Sequence, residues 1–202
     1  IISGFVILMS IENVEKAGHF VINRISRLYP TYWASVTFTS LLLLTAKLYS
    51  SNVINIQLID YLGNMTMFQF YLGIKDIDAP YWTMIIEMLF YIFMLVIYIC
   101  GAMCHLIKIG FFSILGIMLV IYLSDDNSLL PIIFDLVPLL KFWPLFFSGI
   151  LFYKIINNSD FYRFYYAIIL LCLLCQILLF KYSGRSRNFI NIWEYSSMLI
   201  LY

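Results

Sequence analysis

In the stretch "NRISRLYPTYWASV", Arg24 and Arg27 stand three residues apart, just ahead of Pro30 and an apolar, aromatic run. On a helix that spacing projects both guanidinium groups from one face. Two readings stand. Arginines at the end of a span reach back to headgroups and fix topology. A pair on one face can also grip a polyanion, because each planar guanidinium matches two phosphate oxygens at once. The other charge of interest is Glu87, the one acid inside "YWTMIIEMLFYIFMLVIYICG". Counted from Tyr81, it lies roughly 9 Å along a helix. A carboxylate in hydrocarbon costs at least about 3 kcal/mol unless it is paired, protonated or facing a polar cavity, which makes it a candidate for function. Thr83 and Tyr91, one turn to either side, share its face. The alternative is a structural hydrogen bond to a Tyr or Trp of a neighbouring helix.

The remaining reactive side chains read more simply. Cys172 and Cys175 form a C-x-x-C, but "YYAIILLCLLCQILLF" supplies no further ligand for a metal and no polar partner for redox chemistry. They and Cys100 and Cys104 read as small apolar packing residues. His19 and His105 sit in polar connectors and read as surface histidines. Asp135 and Lys141 are either partners or loop charges. Ser3-Gly4 is not part of a G-x-S-x-G element, so no serine nucleophile is indicated. No metal site, prosthetic group or nucleic-acid partner is expected.

The elements that must position these residues follow from composition. The 202 residues are 63% hydrophobic and 11% charged, against about 45–50% and about 25% in soluble domains. That excess, with aromatics at 19% gathered near span ends, predicts an all-α, polytopic transmembrane helical bundle. Segments 1–9, 31–46, 81–101, 109–123, 143–156 and 164–180 read as spans or parts of spans, and 189–202 as the start of another helix. Residues 10–30 read as a polar connector, with Pro30 at the entry of the next helix. The stretch "IDYLGNMTMFQFYLGI" is too short and polar for a crossing and reads as interfacial or re-entrant. Pro131, Asp135, Pro138, Lys141 and Pro144 interrupt 129–156 and suggest a second broken segment. The expectation is about six to eight membrane segments, one or two of them re-entrant. They form a single incomplete domain over 1–202. The chain opens and closes inside apolar runs, so it reads as a fragment.

Loop charges give the orientation. With the arginine connector and the 102–108 turn inside, Asp60, Asp76, Asp78, Asp125 and Asp126 fall outside. Lys181, Arg185 and Arg187 fall on either side, according to whether 129–156 crosses once or twice.

Four pieces, in order along the chain, carry a family resemblance: "IISGFVI", "RISRLYPTYW", "YWTMIIEMLFYIF" and "FWPLFFSGILFYKI". Together they resemble the acyltransferase-3 family of integral membrane acyltransferases, with its S-G-F helix end, R-x-x-R-x-x-P-x-Y-W block, W-S/T-L-x-x-E-x-x-F-Y helix and later F-x-x-G-I-L element. The likeness covers nearly the whole chain. It implies transfer of an acyl group, most often acetyl, from acyl-CoA to a hydroxyl of a cell-envelope carbohydrate or lipid-linked glycan. Arg24 and Arg27 would then hold the coenzyme A phosphates. Glu87 and Tyr91 would occupy the catalytic positions, with Trp82 and Thr83 lining the substrate cavity. Acyl-CoA enters as co-substrate, and no group is bound permanently. The family's general base is a histidine on a first helix upstream of S-G-F, which this chain does not contain. Members reside in the bacterial cytoplasmic membrane as multi-pass proteins. From other classes, a transporter or flippase with Glu87 as proton relay, or a polysaccharide polymerase, would also suit a chain of this composition.

Overall fold

The computed structural model describes residues 1–14, 16–49, 57–123, 133–134, 136–157 and 162–182. Among them are seven α-helices: α1 (Ile2–Glu12), α2 (Ala17–Tyr49), α3 (Leu58–Met65), α4 (Trp82–Ile99), α5 (Leu106–Leu123), α6 (Leu139–Asn157) and α7 (Tyr162–Tyr182). Short 3₁₀ turns, Ala79–Tyr81 and Ala102–His105, lead into α4 and α5. No strand occurs among the described residues. Four of these helical stretches are long and apolar enough to cross a membrane: Trp82–Ile99, Ala102–Leu123, Leu139–Asn157 and Tyr162–Phe180. Eighteen residues rise about 27 Å, close to the roughly 30 Å of a hydrocarbon core. The described residues are thus all-helical, with four helices whose length and composition suit a membrane protein. The acidic break at Asp125 and Asp126, Pro131, Asp135, the basic loop with Arg185 and Arg187, and the helix expected over 189–202 lie outside the described residues.

The helices gather into two compact units, one of Ile1–Val14 with Phe90–Tyr202 and the other of Glu15–Leu89. The first is organised around α6. Its Gly149 and Gly4 of α1 face each other so closely that a Cβ on Gly149 would lie 2.0 Å from the Ile1 carbonyl oxygen. One on Gly4 would lie 2.0 Å from that of Phe146. Without a hydrophobic drive between helices in lipid, such backbone-to-backbone approach is what holds two spans together. On another side of α6, Gly110 of α5 receives the Phe147 ring, where a Cβ would meet ring carbon at 1.9 Å. Trp143 donates its indole N–H to Ser113 Oγ at 2.6 Å. Phe90 and Phe93 of α4 complete the layer, Phe90 stacked on Phe146 at 4.4 Å and Phe93 edge-on to Trp143 at 4.6 Å. Cys172 and Cys175 are buried on α7, as expected of small apolar packing residues, whereas Cys100 and Cys104 are exposed.

One end of this unit is polar. Lys154 pairs with Glu12 at 2.5 Å, and Tyr98 donates to the Val14 carbonyl at 3.0 Å. Gly101 makes the turn there with φ 66, a conformation costly for any residue with a Cβ. The start of the α1–α2 connector and the turn after α4 thus share one end of this unit.

Two expectations are corrected. The connector is short, because α2 already begins at Ala17. Pro30 and Pro144 both lie inside helices. Proline deprives the residue-26 carbonyl of its helical donor. Thr31 Oγ1 donates to the Leu28 carbonyl at 3.0 Å, and the helix continues through the proline instead of beginning there. Likewise α6 starts at Leu139, which takes Lys141 and Pro144 out of the expected broken segment.

Replacing Gly149 by Val forces the α1–α6 crossing apart. A loss of about 1–3 kcal/mol or more is expected, read as a lower unfolding midpoint in detergent. Gly116→Ala, where a Cβ meets nothing within 4 Å, leaves that midpoint in place.

Candidate functional site

The site residues read from the sequence, apart from Tyr91, fall in the Glu15–Leu89 unit. Its centre is a buried cluster of Tyr32 and Val36 from α2, Met67 from the turn after α3, and Tyr81 from the lead into α4. Leu28, Tyr29, Tyr61, Met65, Ile77, Met84 and Met88 pack around it. Met67 adopts a left-handed φ of 64, uncommon for a residue with a side chain, and buries that side chain fully in the cluster.

Polar bonds hold α3 and the following turn against α2. Tyr29 Oη donates to the Thr66 carbonyl at 3.3 Å, Trp33 Nε1 to the Met65 carbonyl at 2.9 Å, and Thr37 Oγ1 lies 3.0 Å from Tyr61 Oη. The order of these contacts makes α3 run antiparallel to α2. Asp76 Oδ1 accepts from Gln69 Nε2 at 2.9 Å in the turn that follows α3. Asp60 instead caps α3, its Oδ2 accepting from the Gln57 amide at 2.9 Å. The expected interfacial or re-entrant piece is this α3-and-turn element.

The two arginines differ in burial. Arg24 is 7% exposed, with its guanidinium 5.5 Å over the Phe20 ring, a favourable cation–π distance. Arg27 is exposed. Both lie two turns or more inside α2, because the helix starts at Ala17. Arg24 stands one turn from Leu28, and Glu87 three residues from Met84. Leu28 and Met84 pack on the same cluster, so α2 and the start of α4, the helices that carry Arg24 and Glu87, meet there. Glu87 and Trp82 are half-buried and Thr83 is exposed, its hydroxyl donating to the Pro80 carbonyl at 2.8 Å. Tyr91 is buried and belongs to the other unit. His19 and His105 are exposed.

Sequence reasoning missed the polar frame around this cluster. Asn64 is fully buried and uses its whole amide: Nδ2 donates to the carbonyls of Asp60 at 2.8 Å and Lys75 at 2.9 Å, and Oδ1 accepts from the Ile77 amide at 3.2 Å. Tyr81 Oη lies 3.2 Å from Ser35 Oγ and donates to Thr39 Oγ1 at 3.1 Å. The available signal was the spacing of Tyr32, Ser35 and Thr39, a hydroxyl stripe at helical period in an otherwise apolar run.

No family model, no curated protein and no solved structure matches this chain.

The differing burial of the two arginines gives separate expectations. Arg24→Ala removes packing as well as charge and should destabilise by about 1–3 kcal/mol, while Arg27→Ala stays within about 0.5 kcal/mol. Unfolding midpoints in one detergent check this, and equal effects would contradict the placement.

Proposed function

We propose that this chain is the membrane body of an O-acyltransferase of the acyltransferase-3 type. It would move an acyl group, most often acetyl, from acyl-CoA to a hydroxyl of a cell-envelope carbohydrate. The observation that supports the reading is that α2, which carries Arg24, and the start of α4, which carries Glu87, pack on one buried cluster. Arg24 and Glu87 belong to two of the four resembling pieces; the other two meet at the Gly4–Gly149 crossing. A polyanionic donor needs cationic forks, and a carboxylate inside a span needs a polar purpose.

In this reading Arg24 and Arg27 hold the phosphates of acyl-CoA. The acceptor hydroxyl oxygen attacks the thioester carbonyl and the C–S bond breaks. Coenzyme A leaves as the thiol after taking up the hydroxyl proton through a general base. The resemblance makes that base a histidine outside these 202 residues. Glu87 and Tyr91 line the reacting end and Trp82 and Thr83 the cavity. The protein belongs to the bacterial cytoplasmic membrane and has about six to eight membrane segments.

One observation favours a second reading. The irregular segment between α3 and α4 has two backbone groups, the Lys75 carbonyl and the Ile77 amide, bonded by the buried Asn64 side chain, and irregular backbone held in this way also occurs in the interrupted helices of transporters. A proton-coupled transporter of an anionic solute would use Glu87 as relay and leave acyl-CoA untouched.

In the full-length protein, Arg24→Ala with Arg27→Ala should abolish acyl-CoA-dependent O-acetylation of envelope carbohydrate, about a hundredfold or more, with membrane insertion retained. Unchanged acetylation would rule out the phosphate-holding role. Glu87→Gln keeps shape and removes charge; it should lower transfer at least about tenfold, and full activity would leave Glu87 a structural residue.

A further inference from the structure

We infer that Tyr81 is a positioning residue: its hydroxyl sets the axial register of α4 against α2, and Asn64 holds the segment that delivers it. The inference rests on the proposed function only for its effect on catalysis. The register itself is a matter of geometry.

Tyr81 is 4% exposed, and its ring meets Tyr32 edge-on at 5.2 Å. The phenol has one proton, which goes to Thr39 Oγ1 at 3.1 Å; Ser35 Oγ at 3.2 Å is then the donor to Tyr81 Oη. Ser35 and Thr39 are one turn apart on α2, so a single oxygen bridges two successive turns. Sliding α4 by one residue shifts it about 1.5 Å and breaks both bonds at once. In an apolar setting a buried hydroxyl left without partners is costly. Dispersion contacts of Met84 and Met88 with the cluster are non-directional by comparison and tolerate such a slide, methionine being the most adaptable of apolar side chains.

The approach to Tyr81 is fixed from the other side. Asn64 bonds the Lys75 carbonyl and the Ile77 amide, and the Tyr81 amide donates to the Asp78 carbonyl at 3.2 Å. Gln69, also buried, adds its bond to Asp76. Hydrogen bonds and a few covalent links thus run from α3 through 75–78 to the first residue before α4. Glu87 follows six residues later, on a rigid helix, about 9 Å along its axis. Register at Tyr81 is register at Glu87.

The test uses the full-length protein in lipid nanodiscs with spin labels at Ile25→Cys on α2 and Thr83→Cys on α4, both exposed positions, in a background with the native cysteines replaced. With Tyr81 intact the inter-label distance should be single and narrow. Tyr81→Phe, which removes one oxygen, and Ser35→Ala with Thr39→Ala, which removes its partners, should each broaden or shift it by at least about the 1.5 Å of one helical residue. Combining them should add nothing further. Asn64→Ala should give the same broadening. Unchanged distance distributions in Tyr81→Phe and in Ser35→Ala/Thr39→Ala would overturn the inference, whether or not the protein transfers acetyl groups. In label-free protein that does transfer them, Tyr81→Phe should lower kcat about ten- to a hundredfold with KM for acetyl-CoA within about twofold. A fall in neither, or in KM alone, would contradict the positioning role. Absence of transfer in the wild type would instead count against the proposed function and leave the distance result standing.

Discussion

A buried polar group without a partner is costly, and the Glu15–Leu89 unit is shaped by that constraint more than by any other. Asn64 and Tyr81 are where it is met. One buried carboxamide ties α3 to the strand-free segment before α4; one buried phenol ties that segment to two turns of α2. Without them the Lys75 carbonyl, the Ile77 amide and the Tyr81 hydroxyl would lose these partners, at about 1–3 kcal/mol for each group left buried. With them, an irregular path of fifteen or so residues becomes rigid enough to start a membrane-crossing helix at a defined height. The strained backbone of Met67 fits the same account, since its left-handed turn brings an apolar side chain into the cluster that the polar frame surrounds.

The other unit solves its packing by a different route. Its helices are apolar on nearly every side, so burial against lipid or protein differs little in free energy, and close approach is what distinguishes one neighbour from another. Glycines at 4, 110 and 149 permit that approach, and the aromatic layer of Phe90, Phe93, Trp143, Phe146 and Phe147 fills the space between them. The Ser3-Gly4 and Ser148-Gly149 pairs are thus the contact faces of α1 and α6. Stability here rests on the absence of side chains; in the Glu15–Leu89 unit it rests on polar side chains such as Asn64 and Tyr81, whose hydrogen bonds reach neighbouring segments.

Much of this was legible in the sequence, for physical reasons that differ by element. Helices α4, α5 and α7 follow from uninterrupted apolar runs, whose length the bilayer itself dictates. Helix α2 was underestimated because proline and charge usually mark a helix boundary; a threonine one residue beyond Pro30 bonds a nearby carbonyl, and nothing in the pattern of 17–30 announces that. The spacing of Arg24 and Arg27 was read as one face, yet 60° of rotation suffices to bury the first and expose the second. Glu87 could be singled out because an acid in a span is rare and costly. Asn64 could not, because its value depends on bonds to Lys75 and Ile77, residues whose backbone path no periodicity describes. Ser35, Thr39 and Tyr81 carry a partial signal, a hydroxyl stripe whose partner lies more than forty residues away.

The central claim is the proposed consumption of a polyanionic thioester by the helices that carry Arg24 and Glu87. It is tested most directly by giving acetyl-labelled acetyl-CoA to inverted membrane vesicles that hold the full-length protein and its envelope glycan. The account predicts that label appears on the glycan as an alkali-labile ester, with one free coenzyme A thiol released for each ester formed. Intact thioester and unlabelled glycan, in vesicles where the protein is shown to be folded, would contradict it.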